Sequence, residues 1–170
     1  MRGRNGDVVL TEAQAWQVLK QIPDPELPAV SVCELGIVRE VRAAEDTVTV
    51  VVTPTYSGCP ATQMIEAAIR TALQDAGCAA VSVETRLSPA WTTDWLTPEA
   101  RAKLRAYGIA PPQAARPELA QPLRFVPPAP RCPRCDAPDT VRLSEFGSTA
   151  CKALYRCTQC REPFEYFKPI

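Results

Sequence analysis

The sequence predicts an α+β fold: a helix–hairpin–helix–strand–helix domain, a proline-rich linker and a small cysteine-rich module. Three observations carry this prediction. Apolar residues recur at helical and then at strand spacing through residues 1–109. Seven prolines fall between Ala110 and Pro130, and proline fixes φ and removes a backbone donor, so neither helix nor sheet runs through them. Beyond residue 131 aliphatic residues are few, and two C-x2-C pairs take their place. The domains expected are therefore 1–109, a linker at 110–130 and a module at 131–170.

Thr11-Glu12-Ala13-Gln14 is a capping box that starts the first helix. Ala15, Val18, Leu19 and Ile22 form its apolar face, and Pro23 and Pro25 end it. Ile37–Val41 and Thr47–Thr53 read as the two strands of a hairpin turning at residues 43–46. Pro60 suits the first position of a second helix. Ala61, Met64, Ile65, Ala68, Ile69, Ala72 and Leu73 give its buried stripe, and Gly77 its left-handed stop. Residues 79–87 read as a third strand through Val81 and Val83. Thr97-Pro98-Glu99 opens a last helix that ends at Gly108. In the module, Leu143, Phe146, Leu154, Tyr155, Phe164, Tyr166 and Phe167 are the core candidates. Trp91 and Trp95, with Pro89, read as a core or docking corner.

The chain has 170 residues, 19 Lys/Arg, 19 Asp/Glu, eight cysteines and no histidine. The missing histidine excludes Cys2His2 fingers, histidine-based triads and the two-His-one-carboxylate iron site. A thiol enzyme would have no histidine partner. Charge is balanced overall: ten bases against thirteen acids in residues 1–109, and seven against five in 131–170. Acidic residues interrupt any basic patch, so no nucleic-acid partner is expected. No apolar run approaches the ~20 residues that span a bilayer, and no signal core follows the N-terminus. A cytoplasmic location without membrane attachment is expected, where thiols stay reduced and cysteines read as ligands or reactive groups.

Cys132-Pro133-Arg134-Cys135 and Cys157-Thr158-Gln159-Cys160 are two knuckles separated by 21 residues. Each aims two sulfurs at one point, and a hairpin from Val141 to Tyr155 would join them into a tetrahedral four-sulfur site. This is a zinc-ribbon-like arrangement. Zinc is the first occupant to consider, and an iron–sulfur cluster suits the same donors. Cys151 is a spare thiol, either a buried small apolar residue or an extra ligand.

Tyr56-Ser57-Gly58-Cys59-Pro60 lies between a strand and a helix. Gly58 permits a sharp turn, and Cys59 falls at the N-cap, where backbone donors and the helix dipole favour a thiolate. A merely structural cap is the other reading. Asp24-Pro25-Glu26-Leu27-Pro28 sets two carboxylates on a proline-stiffened loop. They offer hard oxygen ligation or partner recognition near Cys59, or else simple helix-exit chemistry. Cys33 and Cys78 read as packing residues.

Asp24-Pro25-Glu26-Leu27-Pro28, Val32-Cys33-Glu34-Leu35-Gly36-Ile37-Val38 and Thr53-x5-Cys59-Pro60 together resemble the small domain of SufT-like and cytosolic iron–sulfur assembly proteins. The resemblance covers about residues 10–109. Residues 146–157, Phe-Gly-Ser-Thr-Ala-Cys-Lys-Ala-Leu-Tyr-Arg-Cys, and the following Cys160-Arg161-Glu162-Pro163-Phe164 resemble the C-terminal signature of the PaaD family. These are D components encoded with multicomponent phenylacetyl-CoA epoxidases. The resemblance implies an accessory factor, not the epoxidising enzyme. It implies as partners a di-iron catalytic subunit and a reductase with flavin and a [2Fe–2S] centre, whose metal centres the D component helps to mature. Cys59, Asp24 and Glu26 match the family's cysteine-proline and acidic motifs, which implies cluster or metal transfer, or docking. The alternatives are a structural subunit that stays in the oxygenase complex, or a zinc-ribbon module that binds nucleic acid or protein. One departure is that relatives are expected to carry a cysteine near the end of the Tyr166-Phe167-Lys168 segment, where Pro169 stands here.

Overall fold

The structure is a computed structural model that describes residues 10–44, 47–112 and 129–169. The chain divides into two compact units, Met1–Ala100 and Arg101–Ile170. No helix among the described residues is long and apolar enough to cross a membrane.

In the first unit, helix α1 spans Glu12–Leu19. Its capping box forms as expected: Gln14 N–H donates to Thr11 Oγ1 and Thr11 N–H donates to Gln14 Oε1. Ala15 and Leu19 are buried against the sheet side, while Val18 stays half-buried. Strands β1 (Val38–Ala44) and β2 (Thr47–Val52) pair antiparallel, from Val38 opposite Val52 to Ala44 opposite Thr47. The turn residues between them, 45 and 46, lie outside the described residues. Helix α2 (Ala61–Asp75) then carries the chain over to β3 (Ala80–Thr85), which pairs parallel to β2. A parallel neighbour requires such a crossover. The sheet order is therefore β1-β2-β3.

Central β2 buries Val50, Val51 and Val52 in succession. Successive strand residues face opposite sides, so both faces are covered where β2 runs out toward Cys59. Two further bonds bracket this end, Thr53 N–H to Ile37 O and Arg86 N–H to Val52 O, each 2.8 Å. In α2, Ala61, Ile65, Ile69 and Leu73 are the buried stripe. Met64 is not part of it and is 62% exposed. Gly77 stops the helix with φ +96°.

The loop from Ile22 to Ile37 is tied to the segment before helix α3 (Pro98–Tyr107). Trp91 Nε1 donates to Leu35 O at 2.9 Å, Thr97 N–H donates to Glu34 O at 3.1 Å, and the Arg39 guanidinium lies 3.5 Å from the centre of the Trp95 ring. The corner expected from Trp91 and Trp95 is thus a clasp, with Trp91 as core. Gly36 makes the clasp possible. Its φ is +71°, and a Cβ there would stand 2.8 Å from Trp95 Cβ and 2.9 Å from Trp95 O.

The division between the units falls inside α3, earlier than the expected boundary at 109. Directly after α3, β4 (Ile109–Ala110) pairs parallel with β7 (Pro163–Phe167). With β5 (Thr140–Ser144) and β6 (Lys152–Cys157) it forms a sheet of order β4-β7-β6-β5. Ala110, expected to open the linker, is buried in this unit's core. Linker residues 113–128 lie outside the described residues. The β5–β6 hairpin forms with Arg142 opposite Tyr155. Its core gathers Ala110, Cys132, Ala137, Cys157, Phe164 and Tyr166, with Tyr155 packed against it. Tyr155 stacks on Phe164 and meets Tyr166 edge-on. Leu143 and Phe146, expected in this core, are exposed on the edge strand and the hairpin loop.

Gly36→Ala is expected to cost about 2–3 kcal/mol in urea unfolding, since it adds a clash in a packed region to left-handed strain. Gly58, with φ +88° and open space around it, should lose only about 1 kcal/mol on the same change. Equal effects at the two sites would contradict the clasp.

Candidate metal centre and thiol site

The two knuckles are built alike. Cys132 N–H donates to Ala137 O and Cys157 N–H to Glu162 O, each closing a turn around its cysteine pair. The residue after each second cysteine, Asp136 and Arg161, takes a left-handed conformation. The hairpin then brings the turns together. Cys132 Sγ lies 3.7 Å from Cys160 Sγ, and Cys135 Sγ lies 3.5 Å from Cys157 Sγ. All four sulfurs lie within 4.8 Å of one another. Sulfurs bonded at about 2.3 Å to one tetrahedral ion stand about 3.8 Å apart. The donor set and its spacing therefore fit a single thiophilic ion. Cys132 and Cys157 are buried, and Cys135 and Cys160 face solvent.

Crowding makes these thiols unequal. The Cys157 thiol is lowered to about 7, first by the backbone N–H of Cys160 at 3.4 Å and then by that of Gln159. Cys160 is pushed up to about 12. A backbone N–H near Glu162 pulls it down, but desolvation and the adjoining sulfurs outweigh that pull. A bound cation reverses this competition, because a metal takes each sulfur as thiolate.

Cys151 is not among the four. It is buried just before β6, with Thr149 Oγ1 3.1 Å from its sulfur, whereas Cys157 ends that strand. Six residues of strand carry the chain about 20 Å, so Cys151 sits far from the sulfur cluster. Lys152, beside it, is buried and pairs with Glu165 at 2.9 Å. Glu165 also accepts the Ser148 N–H. Desolvation opposes its charge, but these bonds prevail and hold its carboxyl below the ordinary range. The pair anchors the Gly147–Thr149 loop, where a Cβ on Gly147 would meet Glu165 Oε1 at 2.7 Å.

In the first unit, Cys59 is half-exposed at the mouth of α2. Pro60 is already helical at φ −65°, ψ −24°, and Thr62 N–H donates to Cys59 O. The cap is therefore Pro60, not Cys59 as expected; Cys59 stands one position earlier, because proline already takes the helical conformation, and its sulfur has no hydrogen bond among the described residues. Asp24 is buried, and its Oδ1 accepts the N–H groups of Glu26 and Leu27 at 2.9 and 2.8 Å. Its carboxylate organises the loop that presents Glu26, which is half-buried. Cys78 is a packing residue, as expected, its sulfur donating to Ala80 O. Cys33 is not in a purely apolar setting. It lines a cleft of about 360 Å³ with Lys20, Ser31, Glu34, Thr97 and Glu99. Burial pushes its thiol up to about 12, against the pull of the Lys20 charge. Sequence spacing gave no signal for this cleft, because its walls come from three separate segments.

Two family models match the chain: the iron-sulfur cluster assembly protein model over residues 12–85 and the PaaD zinc beta ribbon domain model over residues 120–168. The chain is 52% identical over 157 residues to a protein of Escherichia coli (strain K12) provisionally named as the D component of 1,2-phenylacetyl-CoA epoxidase, covering 92% of each. The chain belongs to the PaaD family. The chain is also 31% identical over 102 residues to an Fe-S protein maturation auxiliary factor of Porphyromonas gingivalis (strain ATCC BAA-308 / W83), over 59% of this chain and 96% of that one. A crystal structure of a domain of unknown function (DUF59) from Bacillus anthracis superposes with a TM-score of 0.51 at 26% identity, over 55% of this chain and 90% of that one. The PaaD ribbon and the assembly-type domain are therefore the two parts that the sequence indicates.

Metal affinity should rise with pH. Cys160, held near 12 without metal, must lose its proton on binding throughout the neutral range, and Cys157 joins it below about 7. Zinc affinity measured by chelator competition is expected to climb roughly tenfold or more per pH unit between pH ~6 and ~8. A pH-independent affinity would contradict ligation by these thiols.

Proposed function

We propose that this chain is an accessory factor that assists assembly of the iron or iron–sulfur centres of a phenylacetyl-CoA epoxidase. Its own resident metal is a zinc ion held by Cys132, Cys135, Cys157 and Cys160. The observation that carries the reading is the union, in one chain, of an iron–sulfur-assembly-type domain with the PaaD ribbon. The sulfur spacing supports one ion rather than a cluster, because a cluster interposes several irons and sulfides between its cysteines. Zinc supplies a structural crosslink there.

Iron or a cluster is cargo in this reading, not a fixed cofactor. Cys59 is the group suited to handle it: a half-exposed sulfur at a helix mouth, with no hydrogen bond to give up among the described residues. Asp24 and Glu26 are the acidic-motif carboxylates for docking or oxygen ligation, and Asp24 also holds their loop in shape by accepting two backbone donors. The partners are the di-iron catalytic subunit and the flavin/[2Fe–2S] reductase. A permanent structural subunit is the second reading, favoured by the exposed Val141, Leu143 and Phe146 of the ribbon.

The test is a cell strain whose only copy of this chain carries Cys59→Ala. The variant protein should keep its fold and its own zinc, while the epoxidase and reductase purify under-loaded in iron and epoxidation falls. Fully loaded partners and normal growth on phenylacetate would refute the maturation role of Cys59. Tight co-purification at fixed stoichiometry, with loading unaffected, would favour the structural subunit.

A further inference from the structure

We infer that Asp136 is a positioning residue that preforms the Cys132–Cys135 knuckle, so that a bound metal is given up first from the Cys157–Cys160 side. The inference rests on the reading that the four thiols hold a metal ion.

Each knuckle has one closing bond of the same kind, Cys132 N–H to Ala137 O and Cys157 N–H to Glu162 O; beyond it the second is held by the Cys160 N–H on Cys157 Sγ at 3.4 Å, and the first by the groups around Asp136. Asp136 has φ +61° and Arg161 has φ +64°. Neither is glycine, so each turn carries the steric strain of a left-handed side chain. At Asp136 that strain is opposed from two directions. Arg131 grips the carboxylate through both oxygens, with Nε to Oδ1 at 3.1 Å and Nη2 to Oδ2 at 2.9 Å. Such two-point pairing fixes orientation as well as distance. Arg105, from the second half of α3, donates to the same Oδ1. The carboxyl is accordingly held down at about 2, first by the Arg131 bond and then by the Arg105 bond. The Asp136 N–H also donates to Cys132 O at 3.0 Å, which closes the turn on the first ligand.

Arg161 makes no ion pair or side-chain hydrogen bond among the described residues. Its knuckle sits at the β6–β7 turn, and Cys160 faces solvent there. When an acceptor ligand approaches, the turn with left-handed strain and no side-chain clamp opens first. A metal held by Cys132, Cys135, Cys157 and Cys160 would leave as a divalent cation, its sulfurs replaced by the acceptor's donors, and each released thiolate would take a proton from solvent. No electrons change hands.

The experiment uses the full-length chain loaded with zinc, with its zinc content measured first and chelator-driven release then followed at low salt (about 0.05 M) and high salt (about 1 M). Asp136→Asn should release zinc about five times faster at low salt, the size set by an exposed ion-pair network. It should also lose the salt-induced acceleration that the wild type shows. Arg161→Gly, which relieves left-handed strain on the other side, should release zinc about five times more slowly. Arg131→Gln and Arg105→Gln leave residue 136 intact and should each give part of the Asp136→Asn acceleration, which guards against misfolding of that variant. Unchanged rates in Asp136→Asn and both arginine variants would overturn the inference, as would an unchanged rate in Arg161→Gly. A wild-type chain that holds no zinc would overturn the metal reading itself.

Discussion

The convergence of four sulfurs governs the second half of this protein. Cys132 and Cys157 belong both to the sulfur cluster and to the buried cluster with Ala110, Ala137, Phe164 and Tyr166, so core and sulfur site share residues. Few aliphatic residues are buried around them, and β5 leaves Val141 and Leu143 to solvent. A module this small rarely holds a unique fold on apolar burial alone. Without a cation the sulfurs compete for protons at separations of 3.5–3.7 Å. A divalent ion would remove the competition and tie the two knuckles together at one end of the β5–β6–β7 sheet.

The first unit is stabilised differently. Leu19, Val30, Val32, Leu35, Val50, Val51, Val52, Ile69 and Leu73 are all fully buried, so its packing needs no crosslink. The backbone at its functional end is set by two glycines. Gly36 lets the loop close against Trp95, and Gly58 turns the chain so that Cys59 stands at the mouth of α2. Asp24 satisfies two backbone donors in the acidic loop. A well-packed frame thus surrounds a half-exposed sulfur, which is what the proposed handling of a metal cargo requires.

Much of this was legible in the sequence because the signals were local. The Thr11–Gln14 box, the α2 stripe ending at Gly77 and the paired C-x2-C spacings each follow from residues a few positions apart. Long-range features were not legible. The parallel pairing of β3 with β2, the addition of Ile109–Ala110 to the ribbon sheet, and the cleft around Cys33 depend on contacts between distant segments. Amphipathic pattern also misled where a surface is left open. Phe146 is apolar enough for a core but stands over the hairpin loop, where Lys168 covers part of its ring. By sequence Cys151 is open between a buried small residue and an extra ligand; in the fold it is buried, and a single strand separates it from the cluster. Nothing in the local pattern signals that Lys152 is buried against Glu165.

The dependence of the ribbon on its metal is the central claim. Its most direct test is amide hydrogen exchange on the full-length protein before and after metal removal by a strong chelator under reducing conditions. On removal, amides of the β6–β7 ladder around Tyr155, Phe164 and Tyr166 should lose protection, while those around Leu19, Val50 and Ile69 keep theirs. Restoring zinc should restore the lost protection. A ribbon that stays protected without metal would contradict the account, because its fold would then rest on apolar packing and the four thiols would be passengers in it.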